Sequence, residues 1–385
     1  MSEVYAARRT RLRERSAAAG AEAALVSRPA NVRYLCGAAP RGAVLLLGAA
    51  DDPGDLLVCP EDPAESGGGA SLFLSHGLKG MAGAPIDDAL RLMPLPAAET
   101  DAAVAAAAVA ERAGAASLAV EEHHLSVARH RTLRAAAPRL RLADLGCAVE
   151  QLRLVKDEEE ISCLRIAAEI ADQALGELLE SILVGRTERH LALELERRLI
   201  DHGADGPALP TAVGCGPNAG RARHTPTDRR VEEGDFLCVC LGANYRGYRC
   251  EVGRTFVIGT TPADWQIELY ELVFAAQRAG REALLPGAAY RDVDRAARHV
   301  LDAAGYGEGF GARTGHGVGL EIDEDPRLAP SAMGKLDACV PVTVEPGVHL
   351  PGRGGVRIDD TLVVRPEADG GPELLTITTK ELLAL

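Results

Sequence analysis

Aromatic residues are scarce in this chain of 385 residues: Phe, Tyr and Trp together make up 3%, with a single Trp. Its cores must be filled by Leu, Val, Ile and a great deal of Ala, within a hydrophobic fraction of 47% that is ordinary for a folded chain. Basic charge is also short, with 42 Lys and Arg against 56 Asp and Glu and a net charge of -14. Nucleic acid and anionic membrane surfaces both need a basic face, so neither is expected as a partner. No run approaches the roughly 18 uncharged apolar residues that a membrane span requires. The first residues, MSEVYAARRTRLRERS, carry charge and no apolar core, so no secretory signal is expected and a cytoplasmic location is. Short-range CxxC pairs are missing too. The nine cysteines, an odd count, are expected as reduced and mostly buried small hydrophobes rather than a disulfide framework.

What is present divides in two, in a chain long enough for two or three domains. A basic helix over 5–19 ends at Gly20, and AEAALVS, GAVLLLG and DLLVCP read as strands, with AADDPG between the last two as a turn. AETDAAVAAAAVAERAGAA, residues 97–115, reads as a helix covering the sheet, because Ala has the highest helix propensity. SLAVEE is a strand, 123–137 a helix with His123, His124 and His130 as polar surface, and LRLADL a further strand. This strand and helix order predicts an α/β domain over 1–150. The run LRLVKDEEEISCLRIAAEIADQALGELLESI, with its acidic start and helical spacing, opens a second domain over 151–385. A helix over 188–201 follows. TAVGCGPNAG is a strand entering a glycine turn, and no GKS or GKT follows to make it a phosphate loop. Helices over 262–285 and 290–303 and short strands separated by glycine turns complete a domain with helices outside a curved sheet.

The stretch GDFLCVCLGANYRGYRCEVGRTF, residues 234–256, is the centre of that domain. Runs over 236–241 and 248–256 read as an antiparallel hairpin across ANYRG. Centred between Tyr245 and Arg246, it would set Cys240 directly opposite Glu251, a thiol and a carboxylate on one face of rigid strands. TGHGVG brings His316, VTVEPG Glu345 and GVRIDD Asp359. Cys240, Glu251, His316, Glu345 and Asp359 make a reasonable donor set for a transition metal. Cys240 as core β material, and Asp359 with Asp360 as a solvated pair, stay open beside it.

GPNAGRARHTPTDRR, the hairpin stretch, TGHGVGLEIDEDP, VTVEPGVHLPG and GVRIDD resemble, in order and spacing, the creatinase/aminopeptidase P/prolidase/methionine aminopeptidase family. The proline-specific dipeptidase and aminopeptidase branch is nearest in layout. The resemblance implies a two-domain α/β chain: a creatinase-like amino-terminal α/β domain over 1–150 and a pita-bread α+β catalytic domain over 151–385. In the family's metal-dependent members two aspartates, a histidine and two glutamates hold a pair of divalent ions. Those positions fall on Cys240, Glu251, His316, Glu345 and Asp359, so two of the five keep the family's residue and all five keep a donor. A thiolate favours Zn or Fe over Mn or Mg and offers one donor atom. The expectation is therefore a divalent transition metal, Zn, Fe or Mn, as a single ion or as one tight and one weak.

Outside these donors, His224 matches the family's helper histidine, with Arg223 where the family has proline. Asp323 stands for a second helper histidine, Ala312 for a third, and Arg313 for a glycine; Arg357 is retained. The resemblance implies hydrolysis of the bond in Xaa-Pro dipeptides or short amino-terminal Xaa-Pro peptides, with Glu345 as base and His224 at the oxyanion or leaving nitrogen. Arg223, Arg313, Asp323 and Arg357 are the substrate-binding candidates, arginine being suited to a substrate carboxylate. A homodimer acting on a small peptide or small carboxylate-bearing substrate is the expected assembly. Two alternatives remain: a metal-independent hydrolase of a small C–N compound, of the creatinase or ectoine hydrolase type, and a catalytically silent binding relative. A nucleophilic thiol at Cys240 or Cys250 is weaker, because acidic neighbours raise a thiol's pKa.

Overall fold

A computed structural model describes residues 2–48, 54–60, 87, 89–95, 101–181 and 183–385. The turn expected at 49–54 lies outside them except for Gly54, as do the first residues of the helix expected from 97. Contacts divide the chain into two compact units, Met1–Arg153 and Leu154–Leu385.

The first unit holds β1 (Ala23–Val26), β2 (Val44–Leu47), β3 (Leu56–Pro60), β4 (Arg91–Leu95), β5 (Ser117–Val120) and β6 (Arg141–Asp144) in one sheet, ordered β4-β3-β2-β1-β5-β6. β1 runs antiparallel to β2 and parallel to β5. The helices are α1 (Ser2–Ala18), α2 (Pro29–Cys36), α3 (Ala102–Arg112), α4 (Val127–Ala136) and α5 (Ala148–Arg153). Asp101 caps α3 by accepting from Ala103 N, and the helix buries its alanines in the core that β1, β2 and β5 share. α4 starts later than the expected 123 because Ser126 caps it, its side chain accepting from Arg129 N. His123 and His124 stay in the preceding turn.

The second unit opens with α6 (Glu158–Leu179), where Asp157 and Glu160 form a reciprocal capping box, followed by α7 (Glu188–Asp201). Short strands follow: β7 (Gly206–Pro207), β8 (Ala212–Cys215), β9 (Phe236–Leu241), β10 (Ala243–Tyr245), β11 (Tyr248–Arg249) and β12 (Val252–Val257). α8 (Asp264–Glu282) and α9 (Tyr290–Ala303) lead to β13 (Gly315–Gly317), β14 (Glu324–Leu328), β15 (Pro341–Val344), β16 (Gly347–Leu350), β17 (Gly354–Arg357) and β18 (Asp360–Val363). β12-β9-β8 form one sheet, β14-β13-β15-β18 part of another, and β16-β17 a ribbon. α6 and α7 share a core with β8–β12, while α8 shares a separate one with β16 and β17. Curved strands are thus covered by helices in an α+β unit, as the sequence predicts. No helix among the described residues is long and apolar enough to cross a membrane.

The hairpin forms, but its register differs from the expected one. Arg246 and Gly247 both have positive φ, 49° and 79°, and make a two-residue turn of the kind whose twist matches the flanking strands. Tyr245 then pairs with Tyr248, and Cys240 with Gly253 rather than with Glu251. The turn lies one residue later than the sequence suggests, which slides the partner strand by two. A slip of two keeps every side chain on its face, so Cys240 and Glu251 remain on one side as diagonal neighbours.

Candidate active site

Gly253 is where the site becomes possible. A Cβ there would stand 2.1 Å from Asp359 Oδ2, so the bare backbone admits the Asp359 side chain over the face that carries Cys240. Gly253 and Asp359 also exchange backbone hydrogen bonds at 3.1 and 3.0 Å, tying β12 to the end of β17. Two residues earlier, Glu251 is pinned by Thr361, whose hydroxyl accepts from Glu251 N at 3.1 Å and donates to Glu251 O at 2.8 Å. His316 enters from β13, whose neighbour β15 leads into Glu345; the Glu345 N–H donates to Thr314 O at 2.7 Å. All five expected donors therefore come from strands or strand ends. Cys240, Glu251, His316 and Asp359 are buried, and the Glu345 side chain is 12% exposed.

They do not converge equally. His316 Nδ1 donates to Gly317 O at 3.1 Å, which turns Nε2 towards Glu251 Oε1 at 3.2 Å and Glu345 Oε1 at 3.5 Å. Glu251, His316 and Glu345 form the compact trio. Cys240 and Asp359 lie beside it, the thiol within hydrogen-bonding reach of Asp359. Arg357 reaches into the same cluster, donating from Nη2 to Glu345 Oε2 and from Nε to Asp359 at 2.8 Å. Even so, Glu251 Oε1 and Asp359 Oδ2 are buried without a well-aligned hydrogen bond. Asp360, next in sequence, points elsewhere: it is fully buried against Arg254, Gln277, Thr376 and Lys380, so it is a structural anchor rather than half of a solvated pair.

The electrostatics follow from burial and crowding. Burial pushes the Glu345 carboxyl up, and Arg357 only partly opposes it, leaving it at about 7. Burial would lower His316, but Glu251 and Glu345 outweigh it and hold the imidazole up at about 9. Glu251 stays below the ordinary carboxylate range because the His316 contact more than offsets its burial. Burial drives the Cys240 thiol well up, away from a nucleophile. The cluster is thus three crowded carboxyls held by one imidazolium and one guanidinium.

The remaining candidates separate. His224 is held by Glu188, which bonds its Nε2 at 2.8 Å. Arg313 and Asp323 bond each other in a bidentate pair at 3.1 and 2.8 Å, and Arg313 Nε approaches Glu345 Oε1 at 3.5 Å. Arg223 is exposed, and no ion pair joins it to the cluster among the described residues. Glu188 is the residue sequence reading missed. It reads as an ordinary acidic start to α7, yet it is fully buried. In the first unit His123, Cys147 and Glu150 also approach one another, but Glu150 Oε1 already accepts from Arg28, Asn31 and His123 at 2.9, 2.8 and 2.9 Å. That carboxylate has its own cation, and the group acts as a structural clasp.

Residues 162–366 match metallopeptidase family M24, and residues 8–155 match the creatinase/prolidase N-terminal domain. The chain is 38% identical to the Xaa-Pro dipeptidase of Pyrococcus furiosus over 61% of its own length and 66% of that protein, so the match spans just under two thirds of this relative. It is 34% identical to an uncharacterized peptidase of Bacillus subtilis over 71% of this chain and 77% of that one. The structure aligns with an Xaa-Pro dipeptidase from Bacillus anthracis at a TM-score of 0.86 and 29% identity, covering 99% of this chain and 100% of that one. It aligns with the prolidase from Pyrococcus horikoshii at 0.83 and 28% identity, covering 97% and 99%.

Proposed function

The chain belongs to metallopeptidase family M24, and from that premise we propose that it hydrolyses Xaa-Pro dipeptides or short amino-terminal Xaa-Pro peptides with one divalent transition ion, Zn, Fe or Mn. The observation that carries this reading is the spacing around His316 Nε2, 3.2 Å from Glu251 Oε1 and 3.5 Å from Glu345 Oε1. Donors on a tetrahedral ion at 2.0–2.2 Å stand about 3.3–3.6 Å apart, so the imidazole is spaced from each carboxylate as on one ion, and all three donor atoms lie within 4.8 Å of one another. Glu251 Oε1 and Asp359 Oδ2 agree with it: each faces one cationic side chain, His316 Nε2 at 3.2 Å and Arg357 Nε at 2.8 Å, but neither accepts a well-aligned hydrogen bond, so both can take a cation. Glu251, His316 and Glu345 would hold the ion, with Cys240 and Asp359 alongside. Charge fits as well, since three carboxylates balance Arg357 and a divalent ion.

When bound, the ion supplies Lewis-acid polarisation of the scissile carbonyl and makes water in the site more acidic. Glu345 takes the proton of the attacking water. His224 gives a proton to the leaving nitrogen as the C–N bond breaks and its electron pair stays on nitrogen. Arg357 bonds Glu345 and Asp359 together and so fixes where the base stands. Arg223 and Arg313 offer positive charge to a substrate carboxylate, but Asp323 already occupies the fork of Arg313. A substrate carboxylate reaches that guanidinium only by displacing Asp323.

One observation favours a second reading, a metal-independent hydrolase of a small C–N compound: Arg357 and His316 already set positive charge among the carboxyls. Metal content separates the two. Protein purified without chelators should carry about one ion per chain by elemental mass spectrometry, and chelation should abolish Xaa-Pro cleavage that the ion restores. If no Zn, Fe, Mn or Co is found and dialysis restores none, the metallopeptidase reading fails.

A further inference from the structure

The most heavily bonded carboxylate in the catalytic unit is not in the metal cluster. Glu188, the first residue of α7, is fully buried and accepts from six donors, the Cys215 thiol at 3.4 Å from Oε1 being the weakest. On Oε1 the others are Cys215 N at 2.8 Å and Asn218 Nδ2 at 3.0 Å. On Oε2 they are Thr227 N at 2.9 Å, Thr227 Oγ1 at 2.7 Å and His224 Nε2 at 2.8 Å. Two of these donors, Cys215 N on Oε1 and Thr227 N on Oε2, are backbone N–H groups, which can only donate. The carboxylate is therefore acceptor-only, and its bond to His224 requires the hydrogen on Nε2. Burial raises the Glu188 pKa, but these bonds outweigh it and hold the group at about 2, consistent with a permanent anion.

His224 stands over the reactive face of the sheet. Its ring packs on Gly214, where a Cβ would lie 3.2 Å from His224 Cδ2. Gly214 pairs with Cys238, and Ala212 with Cys240, so the alternation of strands puts Gly214 on the face that carries Cys240. The second ring nitrogen, Nδ1, has no protein hydrogen bond among the described residues.

We propose that Glu188 is the positioning residue of His224: it fixes the Nε2–H tautomer, so that Nδ1 is the nitrogen that meets the substrate. The inference rests on the peptidase reading for its purpose, but not for its test. The free Nδ1 accepts in the neutral ring and donates in the imidazolium. A helper histidine without that anion would divide its hydrogen between both nitrogens.

Nitrogen-15 NMR of histidine-labelled protein reads the tautomer without turnover, with the His224 signal identified by its loss in His224→Ala. The hydrogen should be on Nε2, and Glu188→Ala should shift the ring towards a mixture, whereas Thr227→Val, which removes the hydroxyl donor without touching the ring, should not. In cleavage assays Glu188→Ala should lower kcat by about 10²-fold with KM changed by less than about threefold. The double variant with His224→Ala should be no slower than His224→Ala alone. A wild-type ring carrying its hydrogen on Nδ1 overturns the proposal, and so does a Glu188→Ala loss that persists undiminished without His224. Failure to cleave any Xaa-Pro peptide would instead count against the peptidase reading and leave the tautomer result standing on its own.

Discussion

Cys240 falls where the sequence resemblance leads one to expect an acidic ligand, and its surroundings decide what a thiol does there. It is buried beside Asp359, outside the trio of Glu251, His316 and Glu345, so the ion should survive its loss. His316→Ala should abolish Zn binding in isothermal titration, whereas Cys240→Ala should weaken it by about 10–100-fold, the range for groups that support the primary ligands. Equal loss in both would return Cys240 to the trio. Glu345→Gln keeps a donor oxygen but removes the base, so kcat should fall by about 10²–10⁴-fold. Unchanged turnover would remove that role. Glu188 offers a pH prediction of definite sign. Its folded pKa lies below the unfolded value, so its contribution is complete above the ordinary carboxylate range and is lost as pH falls from about 4.5 towards 2. Glu188→Ala should cost about 1–3 kcal/mol at neutral pH, from donors left unpaired, and less as the pH drops through that window. Urea midpoints at pH 7 and pH 3 would measure both, and a difference that grows in acid would contradict the assignment.

The elements show what could be read in advance. The hairpin was legible, because two β-rich runs flank a glycine-containing turn, and its reactive face was legible because strand periodicity survives a two-residue slip. Its register was not. The turn uses Arg246 at positive φ, a conformation that side chains other than Gly, Asn and Asp seldom adopt and that composition does not announce. His316, Glu345 and Asp359 were legible through their glycine-bracketed motifs. Glu188 was not, since an acidic residue in a first helical turn ordinarily faces solvent and the helix dipole. The Arg313–Asp323 pair joins positions ten apart across the β13 turn, and local pattern carries no such contact. Being about a third exposed, the pair should couple by only about 0.2–1 kcal/mol in a double-mutant cycle. Gly253 carries the stronger prediction for this element. A methyl there meets Asp359 Oδ2, Cγ and Cβ at 2.1, 2.4 and 2.9 Å, so more than a flexible side-chain tip must move. Gly253→Ala should cost about 1–3 kcal/mol by overpacking and should weaken ion binding with it. An ion affinity equal to wild type would mean that Asp359 plays no part in the site.

At the scale of the whole molecule, a net charge of -14 and a buried group of carboxyls act in the same direction, since both gain from a bound cation. An ion that binds the folded chain and not the unfolded one stabilises it by an amount set only by its concentration and affinity. The effect is about 2.7 kcal/mol at a hundredfold excess over Kd and about 4.1 at a thousandfold. Every proposed ligand comes from the second unit, residues 154–385, so that unit alone should respond. Calorimetry of a two-unit chain need not show one transition, and this makes the prediction sharper. Adding Zn, Mn or Fe in steps should raise the transition that reports the second unit, and a chelator should return it. The transition that belongs to residues 1–153 should stay where it is, even though that unit also contains a His, Cys and Glu group, because Arg28 and Asn31 already satisfy the Glu150 oxygen that faces His123. His316→Ala should remove the response entirely while leaving both transitions in place. If the first unit's transition moves with the metal, the clasp at Glu150 is a second ion site. If neither transition moves, the charge at the centre of the second unit is balanced by Arg357 and His316 alone, and the metal-independent reading becomes the one to pursue.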